Sequence, residues 1–363
     1  MEIYYAAGIP LIAFLYSLAL VPIARTFAIN IGLVDAPSIR KRHVGHVPLA
    51  GGIVITTGLW CALPFLPKSE TIWATTVLSV PLFLLGAIDD RYQLSAHARL
   101  LAQLSAGVAL VFVFGISITQ LDGVYNSTPL ILAPVMAAMF TVLCTCGVLN
   151  AINMADGIDG LLGSVSSISL CAIAIVALNG NALPEAALAL LMVGLLAGYL
   201  AFNLGFFGPG RRIFLGDSGS MVVGLVLFIL LVELSQKTNP VITSTSAGWI
   251  LGLPLLDTVS VMVRRVVQGR SAFTAGRDHF HHVLQDLGLS RKSTLKVLIV
   301  LQLLFVAIGL IANNTELPQF YFFWGFVAIT LIQYFGISCA VKYIANGRIS
   351  EDGIEKSIAV EEC

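Results

Sequence analysis

The sequence is poor in charge: 11% of its 363 residues are Asp, Glu, Lys or Arg, against about 25% in an ordinary soluble domain. Hydrophobic residues make up 57% of the chain, and the mean hydropathy is +0.91. A soluble globule of this length has too small an interior to bury so much apolar side chain. The composition therefore excludes a soluble enzyme and predicts a polytopic membrane protein.

Other features are also missing. The 20 basic and 20 acidic residues cancel, so the sequence lacks the basic excess that a nucleic-acid partner requires. The cysteines form no C-x-x-C pair, which excludes a zinc knuckle or a redox pair of that type. No P-loop motif and no internal repeat are evident. The N-terminus lacks a positive start, so we expect no cleavable signal peptide.

Long stretches without charge predict the membrane spans, because about 20 apolar residues in a helix cross the hydrocarbon core. We predict an all-α polytopic membrane protein with about eleven transmembrane helices. One integral-membrane catalytic domain is expected over residues 1–341, with a tail over 342–363. The predicted spans are 3–24, a segment between Arg42 and Lys68, 71–88, 100–121, a helix ending near Asn150, 160–184, 186–210, 218–232, 247–263, 297–315 and 317–341.

The basic residues orient this arrangement. Of the 20 Lys and Arg residues, only Lys68 and Lys237 fall on one side, and the rest share the other. Because cytoplasmic loops carry the excess of Lys and Arg, we predict an outside N-terminus and a cytoplasmic C-terminus. The predicted cytoplasmic loops are 25–47, 89–99, 150–160, 203–219 and 264–296.

Five acidic residues follow predicted helices at their cytoplasmic ends: Asp89, Asp90, Asp156, Asp159 and Asp217. A charge at membrane depth costs a few kcal/mol, so such residues usually serve a function. Each could instead cap a helix, for which Asp156 and Asp217 are well placed in the sequence. A cluster drawn from three loops on one face favours a divalent cation, because Mg²⁺ takes oxygen ligands together with substrate phosphates.

Neutral and basic side chains accompany these acids. Asn150 and Asn153 lie one helical turn apart, and the segment after the ninth span carries Arg264 and Arg265 before D-H-F-H-H. Three histidines could hold a transition metal, but no Cys or Glu stands at ligand spacing. A cation-rich loop opposite carboxylates favours a diphosphate. Asp257, inside the ninth span, is expected to be the buried partner of an arginine.

Together these segments resemble the polyprenyl-phosphate N-acetylhexosamine-1-phosphate transferase family. The resemblance runs nearly end to end, and its most specific part is the N-x-x-N-x-x-D-G-x-D-G block together with G-D-x-G-S. The matching segments are G-L-V-D-A-P-S-I-R-K-R-H and P-L-A-G-G within 32–52, D-D-R at 89–91, N-A-I-N-M-A-D-G-I-D-G-L at 150–161, F-L-G-D-S-G-S at 214–220, P-L-L-D at 254–257 and D-H-F-H-H at 278–282.

The resemblance implies a reaction and its residues. A sugar 1-phosphate would pass from a UDP-sugar to a polyprenyl phosphate, releasing UMP, with Mg²⁺ as cofactor and Mn²⁺ as an alternative. The catalytic acids would be Asp89, Asp90, Asp156 and Asp159, and the metal ligands Asp217 and Asp90. The residues expected to bind substrate are Asn150, Asn153, Phe214 (stacked on uracil), Arg265, His279, His281 and His282.

The first loop and the H-x-H-H pattern favour the branch that uses UDP-GlcNAc and undecaprenyl phosphate at the bacterial inner membrane, for O-antigen or related surface polysaccharides. Another UDP-N-acetylhexosamine, such as a GalNAc or MurNAc-pentapeptide donor, is the nearest alternative. An ion-coupled transporter is less favoured, because transporters place their acids near the midplane and often show repeats. A homodimer and the choice between direct and two-step transfer stay open.

Overall fold

The computed structural model describes residues 2–35, 45–126, 128–271, 276 and 278–361, with side chains from residue 8 to residue 343 inside those ranges. Several predicted basic-loop residues lie outside the described residues, namely Arg40, Lys41, Arg42 and Arg277.

Helices make up most of the described chain, as the composition predicts. They are α1 (Glu2–Asn30), α2 (Gly51–Ala62), α3 (Glu70–Tyr92), α4 (Ala96–Phe112), α5 (Pro134–Met154), α6 (Leu161–Asn179), α7 (Leu183–Asn203), α8 (Gly216–Gln236), α9 (Ser244–Ile250), α10 (Gly252–Val267), α11 (Phe280–Asp286), α12 (Arg291–Asn314) and α13 (Gln319–Glu361). Two antiparallel pairs of two-residue strands supplement them: β1 (Val34–Asp35) with β2 (Val47–Pro48), and β3 (Gln120–Leu121) with β4 (Leu130–Ile131).

Each predicted span has a helical counterpart, but not all have the predicted length. Within the described ranges, eight helices are long and apolar enough to cross a membrane, and α9 with α10 forms a bent pair at 84°. The segments over Gly51–Phe65 and Ala96–Phe112 are shorter. The predicted span 100–121 is wrong at its end, because α4 stops at Phe112 and a loop leads to β3. The fold is therefore that of an all-α polytopic membrane protein.

The helix α8 forms the centre of the bundle. In its most apolar stretch of 18 residues, 94% of the residues are buried inside the protein, compared with 6% in the corresponding stretch of α13 at the periphery. It packs chiefly against α3, α5 and α2, and α3 runs antiparallel to it, so the start of α8 meets the end of α3. A side chain at the start of α8 is thereby held at one end of the bundle, and this end carries the polar site described below.

The break between α9 and α10 is filled by polar side chains from neighbouring helices. Gln302 donates to the carbonyl of Ile250 at 2.8 Å and accepts the N–H of Leu253 at 3.2 Å. Ser169 donates to the same carbonyl of Ile250 at 2.8 Å. Backbone groups freed by a break inside a membrane protein require such partners. The bend directs the far end of α10 towards the polar site.

At the opposite end of the bundle, a charged cluster joins α3, α7 and α8. The Lys237 Nζ lies 2.7 Å from Glu185 Oε1 and 3.2 Å from Glu233 Oε2, and Thr71 Oγ1 lies 2.9 Å from that same Glu185 oxygen. Glu185 is buried, with 2% of its surface exposed. Partial burial would lower the pKa of Lys237, but the two glutamates outweigh it and raise this pKa above its usual 10.5.

Replacing Lys237 with Met should destabilise the protein by leaving Glu185 buried without its cation. A fully buried pair loses about 3–5 kcal/mol when one partner is removed, but half of the Lys237 side chain is exposed, so we expect about 1–2 kcal/mol. Because its pKa is raised, the contribution of Lys237 is fully present below pH 10.5 and is lost as the pH rises through the raised value. Thermal unfolding in detergent at neutral pH measures the change.

The matched control is Lys68→Met, because Lys68 is exposed and lies before α3 on the same predicted side. Its midpoint of unfolding should stay within the error of the parent. Equal losses in the two variants would show that the cluster contributes nothing specific.

Candidate active site

Glycines allow three helices to meet where the site begins. A Cβ atom on Gly52 or on Gly86 would collide with Ser218 near the start of α8. The backbone of the P-L-A-G-G segment also bonds to α8: Gly51 N–H donates to the carbonyl of Phe214 at 2.9 Å. Gly52 and Gly86 therefore allow α2 and α3 to pack closely against the start of α8.

Asp90 caps the start of α8 from the neighbouring helix α3. Its Oδ1 accepts the N–H of Asp217 at 2.8 Å, and its Oδ2 accepts the N–H of Ser218 at 3.2 Å and its hydroxyl at 3.0 Å. These are among the backbone donors that a helix leaves unpaired at its N-terminus. Gly216 has a φ of +75°, and a Cβ there would lie 2.5 Å from Asp90 Oδ2. The conformation thus explains the glycine that precedes Asp217.

The alternative that Asp217 and Asp156 cap helices themselves is wrong. The N-cap of α8 is Leu215 and that of α6 is Gly160, and neither helix has a cap bond from its own N-cap side chain. A carboxylate does cap α8, but it is Asp90, which is remote in sequence. The side chain of Asp217 is therefore left to face the site.

The carboxylates of Asp217 and Asp89 converge on Arg99 of α4. Arg99 Nη1 lies 3.1 Å from Asp89 Oδ2 and 3.6 Å from Asp217 Oδ2. Asn153 of α5 donates to Asp217 Oδ1 at 2.6 Å and to Ser220 Oγ at 2.8 Å. The structure thus joins Asp89, Asp217 and Asn153, three residues predicted from separate motifs, around one guanidinium that the sequence reasoning missed.

The second pair of predicted acids lies on the neighbouring loop. Asp159 forms an ion pair with Arg212 at 3.0 Å, while Asp156 is exposed. The N–H of Gly160 donates to Asn203 Oδ1 at 2.6 Å, which fixes the end of this loop against α7. Neither aspartate lines the cavity described below, although Gly157 between them does.

The histidine segment, D-H-F-H-H at residues 278–282, is held in place by contacts of Arg265 with Asp278 and of Asp257 with His279. The guanidinium of Arg265, which is 1% exposed, forms a two-pronged ion pair with Asp278, with Nη2 to Oδ1 at 2.6 Å and Nε to Oδ2 at 3.1 Å. Burial would raise the pKa of Asp278, but the hydrogen bonds and charge of Arg265 outweigh it and hold this pKa below its ordinary value. Arg265 thus positions the loop as well as lining the cavity.

Asp257 has a different partner from the one expected. It contacts His279, with Oδ2 at 3.0 Å from Nδ1, and its Oδ1 accepts the N–H of Phe280 at 2.9 Å. The hydrogen bonds of Asp257 thus go to His279 and Phe280, which lie beside α10, and not to an arginine as predicted, although its charge also acts on the guanidinium of Arg264. The imidazole rings of His279 and His281 stack nearly parallel, with centroids 5.9 Å apart.

A cavity of about 280 Å³ joins these groups. It is lined from α4 by Arg99 and Gln103, from α5 by Asn150 and Asn153, and from the loop side by Arg265, His279, His281 and His282. Gln103 is buried and accepts the Asn150 amide at 2.6 Å. Most of the predicted substrate-binding residues therefore face one cavity, with the Asp89–Asp217 pair beside it.

Phe214 is placed differently from the other predicted substrate residues. Its backbone bonds to Pro48 and Gly51, and its ring packs in part against the main apolar core. It does not line the cavity. Stacking of Phe214 on uracil stays a prediction.

Arg99 and Gln103 carried a signal that the sequence reasoning did not use. They lie four residues apart on α4, so they share a helical face. They begin ten residues after Asp89, across a tight turn in which Leu94 N–H donates to Asp89 Oδ1 at 2.7 Å. A basic residue so near an acid pair after a short turn is close enough to reach back to it.

The fold and the site together define a polytopic helical membrane protein with a polar, phosphate-compatible cavity at one end of its bundle. Residues 72–235 match the model of a family described as Glycosyl transferase family 4. The chain belongs to this family, which confirms the resemblance seen in the motifs.

Relatives extend the match over almost the whole chain. A protein of Yersinia pestis named undecaprenyl-phosphate alpha-N-acetylglucosaminyl 1-phosphate transferase is 31% identical over 91% of this chain and 89% of its own length. A protein of the same name from Escherichia coli (strain K12) is 30% identical over the same shares. In Bacillus subtilis (strain 168), a protein named probable undecaprenyl-phosphate N-acetylglucosaminyl 1-phosphate transferase is 31% identical over 85% of both chains.

Proposed function

We propose that this protein transfers N-acetylglucosamine 1-phosphate from UDP-GlcNAc to undecaprenyl phosphate. A phosphate oxygen of the lipid attacks the phosphorus attached to the sugar, and the bond from that phosphorus to UMP breaks. The products are undecaprenyl-diphospho-GlcNAc and UMP, and no oxidant is needed. The observation that carries the proposal is that residues of the asparagine block and of the histidine segment line one cavity, with Asp89 and Asp217 beside it, in a chain whose relatives are named for this activity.

The side chains of the cavity suit a reaction between two phosphates. Phosphoryl transfer relies mainly on positioning and charge neutralisation. Arg99 and Arg265 supply guanidinium groups to the cavity, and His279, His281 and His282 supply further donors beside Asn150 and Asn153. These residues would bind the diphosphate of the donor. Asp89, held by Arg99 and the N–H of Leu94, would orient the acceptor phosphate in a direct attack.

The donor set also suits Mg²⁺, with Mn²⁺ as the alternative. Mg²⁺ sites of this kind use one or two carboxylates, with water and substrate phosphates completing the octahedron. Asp217 and Asp89 are two carboxylates that both contact the guanidinium of Arg99, so a positive charge is already accommodated beside them. Within the described ranges no group of three or more acidic, His or Cys side chains is close enough to chelate a metal, so water and substrate phosphates would have to supply the other ligands. The ion would neutralise charge on the transferred phosphate. Asp90, whose oxygens both bond to α8, would act through Asp217.

The placement in the membrane is also part of the proposal. We expect eleven spans in one domain over 1–341, a bacterial inner-membrane location, and a site facing the cytoplasm where UDP-sugars occur. The basic residues support this orientation, because Arg25, Arg99, Arg212 and Arg265 lie at the site end and Lys237 at the other. In Lys237→Cys, the new thiol should react with a membrane-impermeant thiol reagent added from outside and not with the same reagent added from the cytoplasmic side. Labelling from the cytoplasmic side alone would refute the orientation.

Turnover with defined substrates tests the reaction directly. Purified protein, Mg²⁺, undecaprenyl phosphate and a panel of UDP-sugars should release UMP with UDP-GlcNAc and give the matching lipid product. Turnover only with UDP-GalNAc or UDP-MurNAc-pentapeptide would keep the reaction class and change the donor. Ion flux in proteoliposomes without UMP release from any UDP-sugar would refute the enzyme proposal. We further propose that the lipid product begins a surface polysaccharide such as an O-antigen.

Gly157→Ala should slow this reaction without unfolding the protein. A Cβ on Gly157 would collide with the imidazole of His281, so the histidine must leave its position in the cavity. Displacing a site group by about 1 Å costs up to about 100-fold in rate. The measurement is UMP release at saturating substrate, beside thermal unfolding.

Gly147→Ala is the matched control, because Gly147 lies in α5 and a Cβ there meets nothing within 4 Å. It should keep the parent rate and unfold no earlier. A Gly157→Ala enzyme as fast as this control would contradict the assigned position of His281.

A further inference from the structure

Asp257 is a half-buried carboxylate beside the cavity that no proposed substrate step uses. It lies in the second turn of α10, and 13% of its side chain is exposed. Resting on the proposed function, we propose that Asp257 is a positioning residue that fixes the ring of His279, so that Nε2 is the nitrogen offered to the phosphates of the nucleotide donor.

Both oxygens of Asp257 are engaged by the histidine segment. Oδ2 lies 3.0 Å from His279 Nδ1, and Oδ1 accepts the N–H of Phe280 at 2.9 Å. Phe280 begins α11, and His279 is its N-cap. The carboxylate therefore holds the backbone and the ring of consecutive residues, which leaves the His279 ring little freedom to turn.

This contact determines which ring nitrogen is available. A carboxylate only accepts hydrogen bonds, so Nδ1 must carry a proton and donate it to Asp257. His279 lines the cavity with Arg265 and Asn153, and its remaining nitrogen, Nε2, is the atom free to meet a ligand. In the protonated ring, Nε2–H donates a charge-assisted bond to a phosphate oxygen. The parallel stack with His281 supports the same ring plane.

The position of Asp257 depends on the break in the membrane helices. The 84° bend before α10 sets the direction of that helix, and Gln302 stabilises the bend through Ile250 and Leu253. Asp257 comes five residues after α10 begins at Gly252. The helix therefore carries the carboxylate to the loop side of the cavity without itself contributing a substrate ligand there.

A double-mutant cycle tests whether Asp257 acts through His279. Partners that orient a functional histidine cost about 10- to 100-fold when removed, so Asp257→Asn should lower kcat/KM for UDP-GlcNAc by about that factor. In a His279→Ala background, the same change should lower it less than about threefold, because the ring it orients is gone. Losses that multiply in the double variant would overturn the proposal and leave Asp257 a structural residue.

Asp122→Asn is the matched control for loss of a helix-start carboxylate. Asp122 accepts the N–H and hydroxyl of Ser244 at the start of α9, at 2.8 and 3.0 Å, at a site outside the cavity. It should keep kcat/KM within about twofold while its thermal unfolding shifts as much as that of Asp257→Asn. An equal loss of kcat/KM in both variants would overturn the specific role of Asp257.

The tautomer can be read on the parent protein, which keeps the test valid if the Asp257 variant does not fold. In ¹⁵N-histidine-labelled protein at alkaline pH, the His279 signal, assigned by its loss in His279→Ala, should show a protonated Nδ1 and a bare Nε2. The opposite tautomer would overturn the proposal. This reading needs no turnover, so it separates failure of the positioning role from failure of the proposed reaction.

Discussion

Asp217→Asn is expected to abolish nearly all UMP release from UDP-GlcNAc while leaving the fold intact. The substitution keeps the shape of a side chain that accepts a bond from Asn153 at 2.6 Å and faces Arg99 at 3.6 Å, but removes its charge. Loss of one preorganised electrostatic group in an active site costs about 100- to 1,000-fold in rate. Single-turnover UMP release, with Mg²⁺ varied, measures the loss.

The control for Asp217→Asn is again Asp122→Asn, which removes a carboxylate remote from the cavity. The control should retain its rate and its Mg²⁺ dependence. A rate for Asp217→Asn within about threefold of the parent would contradict the metal role and with it the proposed arrangement of the site. A slow variant whose unfolding midpoint also falls would instead indicate a folding defect.

Asp90→Ala and Asp89→Ala should separate two roles that adjacent residues hold. Asp90→Ala leaves two backbone donors and a buried hydroxyl of α8 without their acceptor. A lost cap and unsatisfied buried donors together cost about 2–4 kcal/mol. Asp217 lies in the first turn of α8, so a disturbed helix start should displace its carboxylate, and activity should fall as well. Asp89→Ala loses its bonds to Arg99 and Leu94, so activity should fall with a stability loss of about 1 kcal/mol.

Thermal unfolding and UMP release, measured together, provide the comparison. The conservative variant Asp90→Asn retains one acceptor and should recover part of the stability lost in Asp90→Ala. If Asp89→Ala proved the less stable of the two alanine variants, the assignment of the cap to Asp90 would be wrong.

The sequence predicted the helical class and the gathering of the site from simple physical rules. Apolar length indicated the helices, and the acids at helix ends indicated the face on which they meet. Asp89, Asp217, Asn153 and His279 do lie at one end of the bundle, as those rules require. The family resemblance of the same motifs was confirmed by relatives matching most of the chain.

The division of roles between Asp89 and Asp90 was beyond sequence reasoning. Successive residues of a helix point about 100° apart, so one of the pair must turn from the other, but the sequence does not reveal which one faces α8. The partner of Asp257 depended in the same way on tertiary structure, which places His279 beside α10. Such pairings arise from tertiary packing rather than from local pattern.

The ends of the spans were predicted less well than their existence, because they were placed only by the absence of charged residues. The uncharged interval 100–121 contains α4 only to Phe112, and the residues after it form a loop whose Thr119 and Gln120 N–H groups donate to Gln236. Between the helix and this loop, Gly115 adopts a φ of +67°, which an α-helix does not continue through, and no charged residue marks the place. Charge counting therefore located the helix and misplaced its end.

The near-complete enclosure of α8 bears on how the protein meets different bilayers. A change in lipid thickness acts on helices that touch lipid, through tilt and local deformation. Such changes act on α13, in which 6% of the apolar stretch is buried, and not on α8, in which 94% is buried. The helix that carries Asp217 is thus held in place by contacts with other helices rather than by contact with lipid.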